Sequence, residues 1–140
     1  MVSGVEGLEA FLRVIGLSYV RRENSLVAEY RHPRLGSVGI VVSFEQDTGT
    51  VRVAVPTDVE PTREGLLWLL QENFSSTSYK YAVDYEGFIT IVYDVPSACV
   101  DNARRLRELI TETIHGYERL MERVKPVHEG EEGGEPQGVG

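Results

Sequence analysis

Residues 79–96, YKYAVDYEGFITIVYDVP, alternate apolar and polar side chains on both sides of one Tyr-Glu-Gly step. Successive side chains of a strand point to opposite faces, so the stretch predicts a β-hairpin. A three-residue loop with Gly87 in the left-handed region pairs Asp84 with Phe88. The same register opposes Val83 to Ile89, Tyr81 to Ile91 and Tyr79 to Tyr93, all on one face. The reverse face holds Lys80, Ala82, Asp84, Thr90, Val92 and Asp94, with Phe88 the exception. One covered and one largely solvated face is the pattern of an antiparallel sheet in a two-layer α+β domain.

The remaining elements fit that layering. Val5, Leu8, Leu12 and Ile15 share a helix face, opened by a capping box in SGVE (Ser3 with Glu6) and closed by Gly16. Three strands follow: LVAEYRH, then SVGIVVSFE and TVRVAVP, which flank the four-residue turn Gln46 to Gly49. That turn sets Phe44 against Val51, Val42 against Val53 and Ile40 against Val55, so six apolar side chains share a face. Pro56 ends the third strand because it has no amide to donate. A second helix starts near Pro61 and runs through TREGLLWLLQENF. The last helix spans roughly 101–124 with Asp101 as its cap, and its stripe from Ala103 to Val124 is too wide for a lone coiled-coil seam.

The expected order is therefore α-β-β-β-α-β-β-α, with a five-stranded antiparallel sheet packed by helices on one face. Residues 1–125 form one α+β domain. After Pro126, VHEGEEGGEPQGVG has almost no apolar content, and residues 126–140 read as a disordered acidic, Gly-rich tail.

LLWLLQENFSSTSYKYAVDYEGFITIVYDVP followed by a long amphipathic helix resembles the C-terminal half of the YbjN-like and type III secretion chaperone-like proteins. The matching parts are Leu66 to Leu70, the polar link Ser75 to Ser78, the acidic turn Asp84 to Gly87, the Val95-Pro96 step and the final helix. The resemblance covers about residues 5–125 and implies a five-stranded antiparallel sheet in the order 1-2-3-5-4. It further implies a homodimer that holds partner proteins. The aromatic load of the hairpin and the acidic tail depart from the family pattern.

Charge and composition exclude several classes. The net charge is −8, and the body remains mildly acidic without its tail, which argues against non-specific nucleic-acid binding. No apolar run approaches the ~18 residues that span a bilayer, and the N-terminus lacks the pattern of a signal peptide, so the expected setting is cytoplasmic, without membrane attachment. The single Cys99 cannot form an intramolecular disulfide.

No catalytic, cofactor or metal constellation emerges. His32 before Pro33 reads as a solvated turn histidine. His115 is spaced for a helix-face pair with Glu112 or Glu118, and His128 falls in the tail. Cys99 reads as a small buried filler. Arg21 and Arg22, the set Arg31, His32 and Arg34, and the set Arg104, Arg105 and Arg107 each have acids nearby, so solvated faces explain them. A nucleic-acid factor using these arginines, or a small-ligand binder or enzyme with an unrecognised pocket, stand as alternatives.

The expected interface lies on the second helix. Leu66, Leu67, Leu70 and Phe74 fall within about a 100° arc, enough to cover the sheet. Trp68 then points away among Glu64, Gln71 and Glu72, with Leu69 also turned out and Gly65 permitting close approach. Tryptophan is enriched at interface hot spots. Gly65, Trp68, Leu69 and Glu72 are thus the expected contact residues for a second copy and for a protein client, in a non-enzymatic, chaperone-like adaptor needing no cofactor; cover of Trp68 by the first or last helix, or a small-ligand pocket there, are the alternatives.

Overall fold

A computed structural model of the chain describes residues 2–134, with side chains described through Val124. Helix α1 (Val5–Ile15) precedes β1 (Tyr19–Arg22), β2 (Ser25–His32), β3 (Gly36–Glu45) and β4 (Thr50–Pro56). Helix α2 (Arg63–Ser75) leads to β5 (Lys80–Val83) and β6 (Ile89–Pro96), and a short 3-10 turn leads to α3 (Ala103–Gly134). The expected tail over 126–140 lies outside the residues whose side chains are described.

The sheet is antiparallel throughout, with strand order β1-β2-β3-β4-β6-β5. Without β1 this is the expected 1-2-3-5-4 order, so the fold is α+β with six strands instead of five. The extra strand hides in SYVRRENS because two consecutive arginines break the alternation. Its turn, with Glu23 at φ +57°, pairs Arg22 with Ser25. Both hairpin registers match expectation. Phe44 faces Val51 and Val42 faces Val53, although the ladder ends at Val41 and Ala54. Tyr81 faces Ile91, Val83 faces Ile89, and Gly87 takes φ +94°.

Val42, Val51, Val53, Val55 and Ile91 are fully buried beneath Leu8 and Leu12 of α1 and Leu106, Leu109 and Leu120 of α3. Fully burying one such side chain contributes ~1.5–3 kcal/mol, so this single layer carries the fold. Tyr19 and Arg21 of β1 face the same way and tie that edge to α1. Tyr19 Oη accepts from Arg13 (2.6 Å), and Arg21 reaches Glu6 and Glu9 (3.3 and 3.4 Å).

The helix starts differ in detail from the sequence reading. Gly4 is the N-cap of α1 without a side-chain cap, so the Ser3–Glu6 box does not form. Glu6 nonetheless has a lowered pKa, chiefly because its carboxylate accepts a backbone N–H, with Arg21 adding to the effect. Thr62, one residue past Pro61, caps α2 through its hydroxyl (2.9 Å from the Gly65 amide). Asn102, not Asp101, caps α3 by accepting from the Arg105 amide (2.8 Å).

The β5 edge is sealed by one side chain. Asn73 accepts from the Tyr81 amide (2.7 Å) and donates to the Tyr81 carbonyl (3.0 Å), imitating a neighbouring strand. Unpaired edges invite association with other strands. Asn73→Ala is expected to cost about 1–3 kcal/mol, read as a lowered urea midpoint with an unchanged slope.

Candidate protein interface

Helix α2 touches the sheet mainly at the edge strand β5, so only a narrow strip of it is covered. That strip is Gly65, Trp68, Leu69 and Glu72, at i, i+3, i+4 and i+7. Leu69 is 5% exposed and joins the core, and Trp68 is half-buried against it. The Trp68 ring centroid lies 5.5 Å from that of Tyr81, and the Arg123 guanidinium sits 5.0 Å above the indole. Glu72 accepts from Arg119 of α3 (Nε 2.8 Å, Nη2 2.7 Å).

The orientation expected for this helix is therefore reversed. Leu66, Leu67, Leu70 and Phe74, the side chains expected to roof the sheet, are 44, 60, 66 and 92% exposed. The helix carries two apolar arcs, and polar anchors choose between them. Asn73 must reach the Tyr81 backbone and Glu72 must reach Arg119, which turns Trp68 inward. These partners lie 8 and 47 residues away in sequence. Helical periodicity alone has no access to either. Val83 on β5 and Tyr85 at the hairpin tip are also exposed.

The tyrosines beneath α2 and α3 are closely constrained. Tyr81 Oη donates to the Gly116 carbonyl (2.6 Å). Burial first, then the neighbouring Tyr79, pushes the Tyr81 hydroxyl far above its ordinary pKa. It is therefore a fixed donor. A Cβ on Gly116 would lie 2.5 and 2.8 Å from Tyr79 ring carbons and 2.9 Å from Ile91. Glycine is what lets α3 lie so close to the hairpin.

The histidines and cysteine are placed otherwise than expected. His32 is buried, not solvated: its Nδ1 accepts from the Arg34 and Leu35 amides (3.0 Å each), and Nε2 lies 2.6 Å from Glu118. The signal available in the sequence was position. A histidine ending an alternating strand, followed by Pro33, can turn inward and bond the turn it precedes. His115 is exposed and lies 3.4 Å from Glu118, as its spacing allows. Cys99 is exposed instead of buried. Among the described residues, no group of three or more His, Cys, Asp or Glu is arranged to hold a metal.

The arginine clusters are divided by their surroundings. Arg21 pairs with Glu6 and Glu9, Arg105 with Glu108, and His32 is turned away from Arg31 and Arg34 into the protein. No described helix is long and apolar enough to cross a membrane.

No family model matches the chain, and no curated protein matches its sequence. Among solved structures, a chain of the HopA1–SchA chaperone–effector complex matches with a TM-score of 0.57 at 11% identity, over 77% of this chain and 84% of that one. The likeness is one of fold. It supports the antiparallel α+β architecture that the resemblance implied.

Proposed function

We propose that the chain is a non-enzymatic, chaperone-like protein-binding module that acts in the cytoplasm as a homodimer and holds a protein client. The exposed ridge Leu66, Leu67, Leu70 and Phe74 on α2 is the observation that carries this reading. Four large apolar side chains on one exposed helix face form a contiguous patch of the kind that marks a protein contact. A two-fold pairing lets the same ridge meet itself, with each copy supplying both halves of the contact. The residues first expected at the interface, Gly65, Trp68, Leu69 and Glu72, lie on the opposite, covered face, where they position the helix. A chaperone–effector complex as structural neighbour supports a protein client for the same fold. The YbjN-like side of the resemblance adds no separate activity.

Leu67→Glu with Leu70→Glu tests the reading. The two changes leave the core untouched, so the variant is expected to keep its circular-dichroism spectrum. Light scattering should give twice the chain mass for the wild type and the single mass for the variant. A wild type that is monomeric at high micromolar concentration, or a variant that remains dimeric, removes this ridge as the self-contact.

A further inference from the structure

Behind the inward strip of α2 lies a recess of about 540 Å³ between the 59–62 segment, α2, the start of β6 and α3. Its floor is apolar, formed by the buried Leu69, Ile89 and Leu120. Its volume falls in the range of small-molecule sites, about 300–1,000 Å³. The rim is already built. Thr57 Oγ1 donates to the Ile89 carbonyl (2.6 Å) and accepts from the Val59 amide (3.1 Å), while the Ile89 amide donates to the Val59 carbonyl (2.9 Å).

Charge is confined to the mouth. Arg123 lies over the Trp68 ring, and among the described residues it has no carboxylate partner. Glu60, also at the mouth, is exposed. A guanidinium resting on an aromatic face keeps its N–H groups available at the edge, where a carboxylate can accept two of them. An apolar floor, with one guanidinium and the Glu60 carboxylate at the mouth, favours an apolar body carrying a single small anionic head over a highly charged ligand. We propose that this recess binds a small amphipathic carboxylate, with its aliphatic or aryl-alkyl body against Leu69, Ile89, Leu120 and Trp68 and its carboxylate on Arg123. A polyphosphate is excluded by the single cation and apolar lining. The site is separate from the outward ridge of α2.

Trp68 is the chain's one tryptophan, so its fluorescence reports on this recess alone. The full chain is titrated with octanoate and with octan-1-ol, and the same pair is tested on Arg123→Gln. Octanoate is expected to shift the emission saturably and to bind about tenfold more tightly than the alcohol. Arg123→Gln should erase that preference while leaving alcohol binding intact. Methyl spectra should show octanoate shifting Leu69, Ile89 and Leu120, with the other core methyls of the variant unchanged. No saturation, equal binding of acid and alcohol, or shifts centred on Leu67 and Leu70 would each overturn the proposal.

Discussion

Gly116→Ala is expected to lower the unfolding free energy by about 2–4 kcal/mol, although alanine is the better helix former. The two effects oppose each other, and their sizes decide the sign. Helix propensity favours alanine by up to ~1 kcal/mol in a helix interior. Against it stand contacts of 2.5 to 2.9 Å to the Tyr79 ring and Ile91, which no real Cβ tolerates. Neither neighbour yields easily: Tyr79 is buried between Tyr81 and His115, and Ile91 is fully buried on β6, which is paired on both sides by β4 and β5. The helix must lift, which also stretches the Tyr81 bond to the Gly116 carbonyl. Gly39→Ala is the control, because nothing lies within 4 Å of its added Cβ and its φ is ordinary. Urea midpoints should separate the two clearly. A Gly116→Ala variant as stable as the wild type would mean that α3 does not ride on the hairpin.

How much of this was legible in the sequence follows from the range of each interaction. Strand registers were readable because a period of two and a turn of known length fix every opposing pair, as with Val42 and Val53 or Tyr81 and Ile91. Strand β1 escaped because Arg21 and Arg22 point to opposite faces, yet both are charged. Arg21 is on the inner face only because Glu6 and Glu9 of α1 receive it there. The rotation of α2 escaped for a related reason. Two apolar arcs of similar breadth compete, and the winner is set by Asn73 and Glu72, polar residues whose partners arrive from β5 and α3. The residues expected at the interface, Gly65, Trp68, Leu69 and Glu72, thus lie on the covered face of α2. Burial of His32 was hidden in the same way, since Glu118 approaches it from 86 residues away.

The second large effect is expected at that histidine. His32→Ala should cost about 2–4 kcal/mol, because it removes a charged hydrogen bond and leaves two turn amides without their acceptor. Asparagine can return an acceptor to those amides without reaching Glu118, so His32→Asn should recover part of the loss. The response to acid distinguishes the two roles. The Glu118 carboxyl is held below its ordinary pKa of about 4.5, first by the hydrogen bond from His32 and further by His115. A carboxyl depressed by folding adds stability that is fully present above its unfolded pKa and is lost as the pH falls through the folded value. Wild-type stability should therefore fall below about pH 4.5 more steeply than that of Glu118→Gln, with urea midpoints converging as the pH drops. Parallel profiles would detach the pair from the acid response. Nδ1 of His32 already accepts two backbone N–H groups, so Nε2 carries the proton that faces Glu118.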